Sequence, residues 1–165
     1  MTHPPADRTA PPEWRRSLFV AAMVGIGLMA AVDEVVFHQM LGWHHFYDRS
    51  TPQVGLLSDG LLHAAELVLL VAGFFLFADL DRRRTLVPRA AWAGLLLGMG
   101  GFQLLDGLVN HKVLRLHQIR YDVELLPYDL SWNLAAVALL LAGGALARSS
   151  WGRTRSRGEE PGTRR

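Results

Sequence analysis

Four apolar runs, over residues 18–40, 56–78, 90–113 and 130–146, limit what this chain can fold into more than any other feature. Each is close to the roughly 20 helical residues that a bilayer core requires. With no water available inside a bilayer, a spanning backbone must satisfy its own hydrogen bonds, and runs of this length do so as helices. The expected fold is therefore all-α, an integral membrane four-helix bundle. Arg15-Arg16 ahead of the first run and Ala30-Ala31 inside it also fit a signal peptide. Cleavage there would sever the first helix, so the run is read as a span.

The basic residues sort by side. Arg8, Arg15 and Arg16 precede the first run, Arg82, Arg83, Arg84 and Arg89 separate the second from the third, and Arg148, Arg153, Arg155, Arg157, Arg164 and Arg165 follow the fourth. Only Arg49, Lys112, Arg115 and Arg120 fall on the other side. Thirteen against four follows the positive-inside rule. It predicts a multi-pass membrane protein with both termini and the 82–89 loop in the cytoplasm. The basic surplus is thus topological, and no nucleic-acid partner is expected; the bilayer is the expected partner, with room for a homo-oligomer.

Residues 1–16 and 149–165 are rich in charge, Pro, Gly and Ser, and read as disordered cytoplasmic tails around a transmembrane domain over 17–148. The chain has no cysteine, which excludes disulfides, thiolate metal ligands and thiol nucleophiles. It also carries no phosphate-binding Gly loop, no Gly-x-Ser-x-Gly elbow and no His-Glu-x-x-His motif. The sequence leans away from an enzyme.

Costly residues recur at the ends of the apolar runs. Asp33, His38, Leu41 and His44 are followed at the same spacing by Asp106, His111, Leu114 and His117. Tyr47-Asp48 and Tyr121-Asp122 close the two copies. The next spans begin with Asp59 and His63, then Asp129 and Asn133, again at equal spacing. The chain is read as two parallel helical hairpins, repeat one over 17–80 and repeat two over 89–148, related by an axis along the membrane normal. Ionisable groups beside a bilayer core are expensive and usually functional.

The helical rise places His38 at the level of Asp59, and Asp33 at the level of His63. In the second half it places His111 beside Asp129, and Asp106 beside Asn133. Asp59, His63 and Glu66 share one helix stripe, as do Glu34 and His38. His44 and His45 belong to an outer mouth unless the helix breaks at Gly42 and folds them back; His117 is their counterpart.

Imidazole and carboxylate ligands suit zinc, copper or iron, and helices of a bundle can converge them. The metal reading takes His38, His63 and His111 as ligands, with His63 foremost. Asp33, Asp59, Asp106 and Glu66 act as ligands or orienting groups, and His44, His45 and His117 lie at the mouth. Haem b is the alternative, with His38 and His111 as axial ligands from opposite sides. The others are a structural accessory protein held by Asp–His bonds, a membrane-embedded metal hydrolase, and a proton relay. Asp59 and Asp129 also suit helix N-caps, and Trp43, Trp132, Tyr47, Tyr121 and Tyr128 suit an interfacial aromatic belt.

Over residues 18–147, the elements Asp33–His38–Trp43-His44-His45, Asp59-Gly60-Leu61-Leu62-His63 and Asp106–Asn110-His111–His117 resemble a bacterial family of predicted four-span membrane proteins of unknown function. The resemblance implies an inner-membrane protein with these Asp and His positions as its hallmark. It also implies a setting near cytochrome oxidase assembly proteins, which favours copper or haem. Glu34 stands where the family tends to have Gly, and Gln118 where a second His is common.

Overall fold

The computed structural model describes residues 11–158, with side chains described as far as Trp151. Among the described residues there are four helices long and apolar enough to cross a membrane, and no strand. Helix α1 (Trp14–Val32) runs without a break into a π-helical segment, Asp33–Met40. Helix α2 spans Pro52–Arg82, and α3 (Pro88–Leu105) again runs into a π-helical segment, Asp106–Val113. Helix α4 spans Leu125–Gly158.

The helices stand in the order α2–α1–α3–α4, with α1 and α3 as the inner pair. About two-fifths of the most apolar stretch of each inner span is buried (44% and 39%), against 11% for each outer span. The outer helices therefore carry most of the apolar surface that lipid would cover. Small residues set the central crossing, as they do where membrane helices approach closely. A methyl group added at Gly25 would lie 2.2 Å from the Leu95 carbonyl oxygen, and one at Gly98 would lie 2.1 Å from that of Ala22. At Gly94 it would meet the Leu18 oxygen at 2.0 Å.

One end of the molecule is tied by polar contacts among the helix termini. Glu13 N–H donates to Thr85 O at 2.8 Å, and Trp14 Nε1–H donates to Ser150 Oγ at 2.8 Å. Val87 N–H donates to Ser17 Oγ at 3.0 Å. The start of α1, the α2–α3 turn and the late part of α4 therefore share this end, and the π-helical segments lie at the other. Of the tails read as disordered, residues 1–10 and 159–165 lie outside the described residues. Within them, Trp14–Arg16 form the first turn of α1, and α4 continues through 149–158, because Trp14 anchors to Ser150 and packs edge-on against Trp151.

Two local expectations change. Asp59 and Asp129 lie inside helices and not at N-caps: Thr51 caps α2, and α4 begins at Leu125. Trp132 does not join an interfacial belt. It is buried, donates to Gln103 O, and accepts from Gln103 Nε2 at its own carbonyl, both at 3.0 Å, which binds α4 to α3.

The crossing predicts a contrast between glycines. Gly98→Ala forces a methyl into a backbone oxygen and should cost about 1–3 kcal/mol, whereas Gly101→Ala meets no atom within 4 Å. Thermal melts in one detergent check this; equal melting temperatures for the two variants would count against the close crossing.

Candidate metal centre

The repeated five-residue step from Asp to His has its structural basis in the π-helical segments. In an α-helix, residues five apart point roughly 140° from each other. A π-helix bonds i to i+5, so the same two residues stand one above the other. His38 Nε2 accordingly lies 3.6 Å from Asp33 Oδ2, and His111 Nε2 lies 3.1 Å from Asp106 Oδ2. Both segments end in the same way. Leu41 N–H bonds Val36 O, Trp43 N–H reaches back to Phe37 O, and Gly42 between them is left-handed with φ 56°. In the other segment Leu114 bonds Val109 O, Leu116 bonds Asn110 O, and Arg115 takes φ 51°.

Those left-handed residues turn the following loops back over the helix ends. The helix breaks at Gly42, so His44 and His117 leave the outer mouth and enter the interior. Each is buried and spans to the other loop: His44 Nδ1–H donates to Ile119 O at 2.9 Å, and His117 Nδ1–H donates to Phe46 O at 2.8 Å. Their rings stack, with centroids 4.5 Å apart and planes within 6°. A carbonyl only accepts, so both imidazoles are held as the Nδ1–H tautomer, which turns their Nε2 lone pairs to the interior; that of His44 has no partner among the described residues, and that of His117 meets His111 Nε2.

The remaining imidazoles close around this pair. The His38 ring packs 4.5 Å from that of His44, and His111 packs 4.6 Å from His117. His117 Nε2 is 2.9 Å from His111 Nε2 and 3.7 Å from Asp106 Oδ1. His38 Nδ1–H donates to Asp59 Oδ1 at 3.1 Å and also lies 2.8 Å from Glu34 Oε2, so its own free nitrogen is Nε2. Asn110 donates to Asp106 Oδ1 at 2.9 Å. The ring nitrogens of His38, His44 and His111 that face away from these bonds are buried with no hydrogen-bond partner among the described residues.

Three sets of side chains bring ligand atoms within 4.8 Å of one another, all buried: His44 with His111 and His117, Asp33 with His38 and His44, and Glu34 with His38 and Asp59. Of the residues singled out in the sequence, Asp33, His38, His44, Asp59, Asp106, His111 and His117 thus meet. His45 sits at the rim, its Nδ1–H donated to Asp59 Oδ2 at 2.5 Å. His63 turns away, half-exposed, and pairs with the buried Glu66 at 2.5 Å instead of facing Asp33. The expected pairs of the second half do not form. Lys112 takes Asp129 in a surface ion pair, and the Asn133 amide donates to Asp129 O.

Glu34 enters the centre without having been counted as a ligand, although its four-residue step to His38 marks it. The carbonyls of Phe46 and Ile119 leave no sequence signal, since any residue supplies one.

Burial drives the His44 pKa down to about 2 and that of His117 down to about 4, with repulsion from neighbouring imidazoles adding to the first. His45 is shifted the other way by its bond to Asp59. An unfolded chain protonates His44 and His117 near 6.5, while the folded chain does not. Their contribution to stability is full above pH 6.5 and is lost as pH falls toward 4. Chelator-treated protein should lose thermal stability across that window, and His44→Gln should lose less of it; identical pH profiles would overturn the assignment of neutral buried imidazoles.

In comparisons with known proteins, the family model described as Predicted membrane protein (DUF2243) matches residues 20–150. No curated protein and no solved structure matches the chain.

Proposed function

The chain belongs to this predicted membrane protein family, whose description assigns no activity, and we propose that it binds a transition-metal ion in the buried imidazole cluster. The observation that carries the reading is the pair of loop histidines whose Nδ1–H groups are spent on Ile119 O and Phe46 O. Metal-ligating histidines commonly donate their second nitrogen in this way, which fixes the ring and the tautomer. Two more imidazoles and two carboxylates surround the lone pairs so exposed. Nitrogen and oxygen donors without sulfur suit zinc, copper(II) or iron(II).

The centre would face the outside of the bacterial inner membrane, because the Arg-rich end of the molecule is the one expected in the cytoplasm. Holding or handing on an ion fits better than turnover, since the potential ligands are nearly all enclosed. In the setting of respiratory-oxidase assembly that the family resemblance implies, copper would be the ion handled. A haem between His38 and His111 has less support: the His44 ring lies 4.5 Å from that of His38 and 6.1 Å from that of His111, so it fills the space between them.

Elemental analysis of detergent-purified protein tests the reading, beside a His44→Gln/His117→Gln variant that elutes as a folded species. Near-stoichiometric metal in the wild type and at least about tenfold weaker retention in the variant are expected. Equal retention, or no metal in either after reconstitution, would leave an Asp–His network with a structural role.

A further inference from the structure

We propose that the centre takes two divalent transition-metal ions, one on Asp33, His38 and His44 and the other on Asp106, His111 and His117. This rests on the metal-binding reading above and extends it in nuclearity. Each set offers two imidazoles and one carboxylate, a donor set that holds first-row metals and leaves further positions open.

The distances of the second set already suit one ion, and those of the first come close. Nitrogen and carboxylate ligands sit about 2.0–2.2 Å from zinc, so two ligands of one ion are at most about 4 Å apart. In the second set the separations are 3.1 Å (His111 Nε2–Asp106 Oδ2), 3.7 Å (His117 Nε2–Asp106 Oδ1) and 2.9 Å (His111 Nε2–His117 Nε2). In the first, His38 Nε2 is 3.6 Å from Asp33 Oδ2, and the His44 ligand atom completes a set within 4.8 Å. His44 also belongs to a group with His111 and His117. An ion held by those three alone would leave Asp33 and the buried, unpartnered His38 Nε2 with nothing to bind. Giving His44 to Asp33 and His38 supplies the unpartnered Nε2 atoms of His38 and His44 to one ion and leaves each set with two imidazoles and one carboxylate.

Charge supports the same count. Asp33, Glu34, Asp59 and Asp106 are each at most 3% exposed, and among the described residues their ion-pair partners are all histidines. His44 and His117, held as neutral tautomers, supply no positive charge. Buried carboxylates without compensation are strongly unfavourable in such surroundings. Two divalent ions would offset more of this carboxylate charge than one. Asp33 and Asp106 would bind the ions directly, while Glu34 and Asp59 hold the Nδ1–H side of His38 and raise its basicity.

Chelator-treated full-length protein in detergent, titrated with cobalt(II) and followed by its ligand-field absorbance, should break at two equivalents per chain. Elemental analysis after loading with zinc(II) should give the same ratio. His38→Gln and His111→Gln should each retain one ion. A wild-type break at one equivalent overturns the two-ion centre and leaves the metal reading standing; no binding overturns both. Two ions retained in His38→Gln overturns the ligand assignment. Should either variant fail to elute as a folded species, Asp33→Asn or Asp106→Asn replaces it, and the wild-type ratio decides nuclearity by itself.

Discussion

The contact between the α1 and α3 backbones governs everything at the far end of the molecule. Gly25, Gly94 and Gly98 each face a carbonyl oxygen at a separation that no side chain would permit. Helices that close cannot diverge much over the next two turns, so Asp33–Met40 and Asp106–Val113 arrive side by side. In a looser crossing the loops beyond them would be too far apart to exchange hydrogen bonds. The outer helices contribute less: α2 lends Asp59 to the centre, while α4 supplies Trp132 as a brace against Gln103.

Widening each inner helix into a π-helical segment then changes which residues face inward. The i to i+5 pairing stacks Asp33 under His38 and Asp106 under His111, and left-handed residues at 42 and 115 return the chain over them. The result is an interior crowded with acceptors and poor in donors. His44 and His117 spend their one N–H on carbonyls that cannot pass a proton onward. Each ring is thereby fixed in orientation, with its Nε2 turned to the interior.

Much of this was legible beforehand. Run length gave four helices, charge placement gave one arginine-rich end, and the rise per residue correctly set His38 level with Asp59. What failed did so for identifiable reasons. Counting with α-helical geometry hid the reason for the Asp–His step of five. Gly42 marked one helix break, but its counterpart is Arg115, a residue that rarely adopts positive φ and so gave no warning. His63 looked strongest because Asp59 and Glu66 share its stripe; yet it is half-exposed and paired with Glu66, and Asp59 is already taken by His38, His45 and the Phe46 amide. The Lys112–Asp129 pair follows from a local substitution of charge that spacing cannot foresee.

The reciprocal bonds between the loops bear on why both halves reside in one polypeptide. His44 relies on a carbonyl of the second half, and His117 on a carbonyl of the first. A lone hairpin would bury an imidazole with nothing to receive its proton, whereas two identical hairpins could serve each other equally well. The halves here are not identical: Glu34 and His45 in one stand where Gly107 and Gln118 stand in the other. Free hairpins of two kinds would sort into like and unlike pairs. A single polypeptide that carries both guarantees that every molecule contains one of each.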